Sequence, residues 1–445
     1  MITKEKAAPT RSRKLAALAG GTLISLLLGA VAAPVKLEFA PAPVDNPLKG
    51  LVPYVSASEK ERFPQSMEFR YFSLQSLLKG PAKLDWSPIE KTLQLVGGRG
   101  HQLILRIYCE YPEHGDEVPE FLKRAGVKVT VWKDEEGAKC YNPDYRNPVM
   151  RKALVDFIAA FGKKYDGDPR IAYITAGLLG AWGEWHNYPH DELWAPKEVQ
   201  REVMDAYEKA FTKTKVLMRY PAGPKTYWHA ANNERPFGYH DDSFCWATLD
   251  TGREDDDWFF EPSMKSAGAT EKWRTQPIGG ELRPELWKKS FTAQRHKRDQ
   301  GFVKCVERMH ATWLMDTGLF DAEYALSAER KAIAMKEVAR MGYELHISQA
   351  EWNDGELSLT VENRGVAPFY YDWGVEIQQA GVALSTVPVG WKLSQVLPGT
   401  PVGWKVKIDQ SAAYRLQVRN PMKGGKPLRF ANKEQGEGWL RIEME

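Results

Sequence analysis

Between Asn46 and about Tyr343, short apolar runs alternate with longer stretches whose apolar positions recur at helical spacing. The runs are Gly50–Pro53, Glu68–Phe72, Leu103–Tyr108, Ile171–Leu178, Val216–Tyr220, Gly238–Phe244, Pro277–Glu281 and Ala311–Met315. Near-continuous apolar runs of this length suit strands covered on both faces, as in a parallel sheet. Helix starts are signalled between them by Pro88 after Ser87, Pro148 after Asn147, and by Pro196 and Pro284. Val149, Leu154, Phe157, Ile158 and Phe161 then form one apolar helix face, which Asp166-Gly167 ends, and Val199, Val203, Tyr207, Ala210 and Phe211 repeat it. Eight such units predict a (β/α)8 barrel, an α/β fold. The first is thin, because Ser56 to Pro64 is short for a full helix. The alternative, an open doubly wound sheet, lacks a G-x-G-x-x-G after its first strand; Gly97-Gly98-Arg99-Gly100 precedes a strand and reads as a helix end and turn.

Past Tyr343 the period shortens. His346–Gln349, Glu356–Asn363, Val375–Gln379 and Tyr414–Arg419 read as strands, with turns at Asn353-Asp354-Gly355 and Asn363-Arg364-Gly365. Residues 344–445 are therefore expected to form an all-β sandwich behind a barrel spanning residues 45–343. Residues 1–32 read as a signal peptide: a basic start (Lys4, Lys6, Arg11, Arg13, Lys14), an apolar Leu15–Val31, and Ala30-Val31-Ala32 for cleavage. An uncleaved anchor is the alternative reading of the same run. Without the leader's net +4 the chain's formal +3 becomes −1, so its basicity belongs to targeting and gives no support to nucleic-acid binding. No second run is of spanning length, and the mature protein is expected to be exported (periplasmic or extracellular), soluble and free of the membrane. Cys109, Cys140, Cys245 and Cys305 form no C-x-x-C pair; Cys109 and Cys140 could staple one loop, or all four could be buried thiols.

The candidate chemistry gathers where barrel strands end. After the fourth run comes Ala176-Gly177-Leu178-Leu179-Gly180-Ala181-Trp182-Gly183-Glu184-Trp185-His186, a carboxylate between two indoles. An apolar surround raises a glutamate's pKa toward the range useful for proton transfer. The seventh run ends in Glu281, behind Gly279 and Gly280, which would let a ring approach. Two carboxylates facing each other across a barrel mouth suit glycosidic hydrolysis, one donating a proton and the other attacking the anomeric carbon. Arg70, Arg106, Arg219, His240 and Asp241 stand at other strand ends as candidate substrate contacts, and Trp182, Trp185, His186 and Trp313 as rim aromatics or sugar-stacking faces. Three arginines in one mouth would favour anionic sugars, unless Glu110, Asp241 or Asp316 pair with them. The acidic, aromatic stretch Asp250–Trp273 is expected to form one wall of the cleft.

A barrel with Glu184 after strand four and Glu281 after strand seven resembles clan A glycoside hydrolases, which include the beta-galactosidases. AGLLGAWGEWH and LTVENRGVAPFYY resemble strings of bacterial secreted proteins carrying the domain of unknown function 4832. The resemblance implies a retaining glycosidase with Glu184 as acid/base, Glu281 as nucleophile and Arg70 holding that nucleophile ionised, needing no cofactor and no metal. The clan places Asn before its acid/base to bind the sugar 2-hydroxyl; this chain has Gly183. That departure supports an alternative, a non-catalytic carbohydrate-binding protein on the same barrel. A second alternative is a metal-dependent hydrolase using His186, His190, His240 and nearby aspartates. In each reading carbohydrate or another small substrate is the partner; the oligomeric state is not specified.

Overall fold

The computed structural model describes residues 34–57, 61–134, 136–382, 385–408 and 413–443, so the expected leader lies outside the described residues. Eight strands form one sheet: β1 (Gly50–Val52), β2 (Met67–Ser73), β3 (Gln102–Tyr108), β4 (Ile171–Thr175), β5 (Val216–Met218), β6 (Gly238–Phe244), β7 (Ile278–Leu282) and β8 (Trp313–Met315). They lie side by side in chain order, and every neighbouring pair is parallel. A parallel bridge from Tyr54 to Phe69, with Phe69 N–H donating to Pro53 O at 2.8 Å, joins β1 to β2 and brings the sheet round on itself. This is the barrel the apolar runs predict.

Among the described residues six helices of eight residues or more cover it: α1 (Ser87–Gly98), α2 (Pro148–Tyr165), α3 (Lys197–Ala210), α4 (Phe260–Ala267), α5 (Phe302–Met309) and α6 (Ala328–Val338). Local chemistry sets their ends. Pro148 begins α2 with no N–H to leave unpaired, and the Asn147 side chain accepts from Val149 N at 2.9 Å. Two crossovers depart from the pattern. The first has only the 3-10 turn Val55–Ala57, as its length suggests, and among the described residues the fifth, Arg219 to Phe237, has no helix. Pro284 starts a 3-10 turn (Pro284–Leu286) rather than a helix; that unit's helix is α5. The stretch Asp250–Trp273 contains α4 and buries Phe259 and Phe260.

Two short hairpins, Leu78–Gly80/Lys83–Leu84 and Val129–Lys133/Lys139–Pro143, stand in the second and third crossovers. Past the barrel come β9 (Leu345–Asn353), β10 (Glu356–Asn363), β11 (Val375–Gln379), β12 (Val402–Lys407), β13 (Ala413–Val418) and β14 (Leu440–Glu443). They form two antiparallel sheets of four strands, Val35–Lys36/β9/β10/β12 and Ser385–Thr386/β11/β13/β14. Residues before the barrel thus belong with the C-terminal sheets: Val35–Lys36 adds an edge to β9, and Phe39 bridges Asn432. Leu359 and Trp404 of one sheet and Ile377 and Leu416 of the other share a single apolar cluster with Tyr343 and Phe369. The same cluster continues into the barrel interior through Tyr173 and Trp313. The four cysteines are buried and free, so the Cys109–Cys140 staple is not formed.

Candidate active site

Strand parity decides what reaches the barrel interior. On β3, Leu103, Leu105 and Ile107 pack under the helices, Ile104 faces inward, and Arg106 two residues on does the same. An unpaired buried guanidinium would cost several kcal/mol, roughly, so every edge of it must find a partner. Arg106 donates from Nε to Thr175 Oγ1 (3.1 Å), from Nη1 to Glu184 Oε1 (3.2 Å) and Tyr71 OH (3.3 Å), and from Nη2 to Asp242 Oδ2 (3.0 Å). His240 Nδ1 lies 3.0 Å from Asp242 Oδ1 and 3.1 Å from Arg106 Nη2. Nδ1 donates to Asp242 in one tautomer and accepts from Arg106 Nη2 in the other, so the ring makes one of these two bonds at a time. Burial pushes the imidazole down to about 4, and it is neutral at physiological pH. Burial opposes ionisation of Asp242 too, but Arg106, His240 and Arg219 hold it well below the ordinary range.

Arg219, inward from β5, lies 3.5 Å from Asp242 and 3.7 Å from Asp241, with its guanidinium 4.5 Å over the Tyr220 ring. Asp241 points away from the interior, receives Ser243 N (3.0 Å) and Thr248 Oγ1 (2.8 Å), and is pushed up to about 6 by burial. Both interior arginines are therefore paired with carboxylates, and the surplus positive charge that would select anionic sugars is absent from the barrel centre.

Glu184 sits on the strained segment after β4. Leu178, Trp182 and Trp185 all have positive φ (71°, 53° and 60°), as do Gly180 and Gly183 (77° and 69°). Bulky residues in this region each cost of order 1 kcal/mol and persist where surrounding contacts impose them. The contacts come from β3 and from Glu110, Asn142 and Tyr145 in the crossover after it. Leu178 N donates to Ile107 O (2.6 Å), Gly180 N to Tyr145 OH (2.9 Å), and Ala181 bridges Glu110. The buried Glu110 carboxylate accepts from Tyr145 OH (2.5 Å), Asn142 Nδ2 (3.0 Å) and Asn187 Nδ2 (3.0 Å), tying both ends of the segment together. Burial outweighs these three donors and lifts Glu110 to about 7.

Glu281 projects from β7 without an ion pair or hydrogen bond to its carboxylate among the described residues. Burial, then the charges of Asp242 and Glu184, push it well above the usual carboxylate range. Glu184, Asp242 and Glu281 thus share one electrostatic neighbourhood around Arg106. The expected pair is brought to one mouth.

Several other expectations are corrected. Arg70 is exposed on the outer face of β2, donating to Thr92 Oγ1 of α1 (3.2 Å); the inward residue one position on is Tyr71. The arginine of the site comes from β3 and grips Glu184, not Glu281. Trp185 is core, its Nε1 donating to Ala176 O (2.9 Å) and its ring packed on Trp194. Trp313 fills the barrel, stacked on Tyr173 at 6.2 Å. A Cβ on Gly279 would meet Trp313 Cε2 at 2.1 Å, so the ring that glycine admits is the protein's own. Trp182 and His186 do stand at the rim, with His186 Nε2 3.8 Å from Glu184 Oε2. His240 and Asp241 are close to the site, but support its charges rather than line the opening. The histidines of the metal reading are not gathered: His240 is buried inside, while His190 lies on an outer turn against Glu192 (3.0 Å). Among the described residues no group of three or more His, Cys, Asp or Glu has metal-holding geometry.

Sequence reasoning that looked for tryptophans missed a run of tyrosines. Tyr54, Tyr71 and Tyr111 follow one another around the mouth (6.3 and 5.5 Å between centroids), then Trp182 (6.5 Å), His186 (6.1 Å) and Tyr220 (6.3 Å). Tyr220 in turn stacks on His229 at 4.5 Å. Each stands at or just past a strand end, which is the signal that could have found them.

No family model matches the chain, and no curated protein matches it, so the likeness to proteins with the domain of unknown function 4832 rests on the two strings alone. Some solved structures are similar to the chain at low score and low identity. One is the endo-glycoceramidase II from Rhodococcus sp. (lactosyl-enzyme intermediate), at TM-score 0.42 and 12% identity, covering 85% of this chain and 100% of that one. Another is a GH5_18 protein from Bifidobacterium longum subsp. infantis, at TM-score 0.41 and 11% identity, covering 67% and 81%. A third is a beta-glucanase from Saccharophagus degradans, at TM-score 0.37 and 12% identity, covering 68% and 93%.

Proposed function

We propose that the protein is a glycoside hydrolase acting on oligo- or polysaccharide, with Glu184 and Glu281 as its carboxylate pair. One observation carries this reading: two interior-facing glutamates at the ends of β4 and β7 share a mouth edged by aromatic rings, with Arg106 bound to one of them. Paired acids in unequal environments are what a proton donor and a nucleophile require. In the assignment the resemblance implies, Glu184 protonates the leaving oxygen while Glu281 attacks the anomeric carbon. Glu184 then takes a proton from water, whose oxygen displaces Glu281. Aromatic faces around the mouth stack on the sugar rings.

The Arg106–Glu184 ion pair favours a second assignment, with the two roles exchanged. Arg106 Nη1 lies 3.2 Å from Glu184 Oε1, a contact that suits a carboxylate, whereas Glu281 has no such cation and is raised by burial and by the charges of Asp242 and Glu184, which favours its protonated form. Trapping decides between them. A panel of 2,4-dinitrophenyl 2-deoxy-2-fluoro-glycosides (gluco, galacto and manno) glycosylates the nucleophile with loss of dinitrophenolate, and peptide mapping locates the sugar on Glu281 in the first assignment or on Glu184 in the second. Glu184→Gln and Glu281→Gln should each lower turnover by roughly a hundredfold to ten-thousandfold. Full activity in both variants would remove the pair from the chemistry. Saturable glycan binding with no turnover by the parent protein would make it a carbohydrate-binding protein instead. We further read residues 1–32 as an export signal, and the two C-terminal sheets as a sandwich that supports the barrel.

A further inference from the structure

Beside Glu281 the chain carries a concentration of positive charge that hydrolysis does not use. Between β7 and α5 lie Arg283, Lys288, Lys289, Arg295, Lys297 and Arg298 against Glu285 and Asp299, a net of +4 in a protein whose whole sequence sums to +3. The segment is pinned at the barrel mouth. Gln300 donates from its backbone to Cys245 O (2.8 Å), and its side chain accepts from Thr248 N (2.9 Å) and Leu249 N (2.8 Å), folding the loop back over the end of β6. There Trp246 is half-buried, with His296 stacked on it at 5.2 Å and 19°. The Arg298 guanidinium lies 4.8 Å over the same indole, and that of Arg283 lies 6.0 Å away. Arg283 links this group to the catalytic side: it follows β7 directly, reaches Ser243 Oγ at 3.4 Å, and its charge is felt by Glu281.

The two arginines differ in one respect. Arg283 is committed to Glu285 at 2.8 Å, whereas Arg298 is exposed and has no carboxylate partner among the described residues. An indole under a guanidinium fixes its plane and leaves the N–H edges free for the bidentate grip that carboxylates and sulfates accept. Lys297 beside it is likewise exposed and unpaired among the described residues. We propose that Arg298, with Lys297 and the Trp246–His296 stack, binds an anionic substituent, a sugar carboxylate or sulfate, on a glycan lying along the Glu281 side of the mouth. The glycan, rather than another polyanion, is chosen because this site is continuous with the proposed hydrolytic pair, and to that extent the inference rests on the hydrolase reading.

The test is affinity electrophoresis of the full mature chain in gels cast with matched polymers. Polygalacturonate is compared with fully methyl-esterified homogalacturonan, and dextran sulfate with dextran. Retardation by the charged member of a pair is expected, weakened about tenfold by Arg298→Ala, less by Arg298→Lys, and fading at about 0.5 M NaCl. Lys152→Ala, on α2 of the β3–β4 crossover and paired there with Asp156, removes one charge from another side of the barrel than β7 and should change nothing. The polygalacturonate and dextran sulfate arms separate carboxylate from sulfate. Equal retardation by charged and uncharged partners, none by any polymer, or equal losses in the Arg298 and Lys152 variants overturns the site. Charge-selective retardation by a protein that hydrolyses no glycan overturns the hydrolase reading and leaves the anion site standing.

Discussion

Arg106 stays charged in any surroundings, so placing it inside a barrel obliges the neighbouring strands to supply anions. Asp242 from β6 and Glu184 from the segment after β4 do so, at 3.0 and 3.2 Å. That demand explains why a carboxylate sits among tryptophans. It also bears on Gly183, where clan A hydrolases carry Asn. A Cβ at 183 would meet Gly177 Cα at 3.1 Å and Ile107 O at 3.3 Å, and φ there is +69°, so this position faces the base of its own loop rather than a sugar. Gly183→Asn should therefore fail to raise turnover. Asn tolerates left-handed φ better than most residues, and the crowded Cβ should cost about 1 kcal/mol, or about 1 °C in thermal midpoint for one transition of a chain of this size. Increased turnover at unchanged midpoint would show that the 183 side chain does reach the cleft. Parity is also why Arg70 was misplaced. The run Glu68–Phe72 marks a strand in the sequence, and the alternation of apolar Met67, Phe69 and Tyr71 with charged Glu68 and Arg70 is what puts Arg70 on the outer face.

At the scale of elements, the segment from Ala176 to Asn187 keeps its strained backbone because Glu110 and Tyr145 hold it from below. Glu110 is pushed up to about 7, while Asp241 and Asp316 are pushed up to about 6, all by burial. A carboxyl raised by folding stabilises the native state most where it is protonated in both states, below the ordinary carboxylate range of about 4. That contribution is lost as pH rises through the folded value. These carboxyls should therefore subtract stability between about pH 4 and pH 7, against the gain over the same window from His229 and His240, both lowered to about 4 by burial, and the Glu110 share of the loss is about 3 kcal/mol at most. Glu110→Gln should lower the midpoint at pH 5, because its amide offers Asn142, Tyr145 and Asn187 one acceptor atom where the carboxyl offers two, and should flatten the fall toward pH 8. An undiminished fall in the variant would place the titration elsewhere. The eight strands were legible because a covered strand must be apolar throughout. The missing helix of the fifth crossover was not, since Pro221, Gly223 and Pro224 mark a loop without giving its length.

Across the whole molecule, the C-terminal sheets are joined to the barrel by aromatic rings that enter it from the end opposite the site. Asn363 ties the turn after β10 through Ala367 O (2.9 Å) and Val396 O (3.0 Å), aiming the following Phe369, Tyr370 and Tyr371 at the barrel. Tyr371 OH donates to Ala172 O (2.7 Å), Tyr370 OH to Trp273 O (2.7 Å), and the buried Lys49 ammonium, lowered to about 8 by desolvation, donates to Tyr343 O (2.8 Å). This is the structural content of the string LTVENRGVAPFYY, whose pattern marked a strand and a turn but not what the aromatics after it would touch. Phe369 is fully enclosed, edge-on to Tyr343 and Trp373 at 5.0 Å each. Phe369→Ala should cost about 3–5 kcal/mol. Because one apolar cluster runs from β9 through Phe369 to Tyr173, the loss should lower a single cooperative unfolding transition. Tyr173 lies one inward position below Thr175, the partner of Arg106 Nε, so turnover should fall in the folded variant as Arg106 loses its seat. Thermal unfolding followed by tryptophan fluorescence and by residual glycosidase activity checks both. Two separate transitions, with the activity-bearing one unmoved by Phe369→Ala, would mean that the sheets and the barrel stand independently.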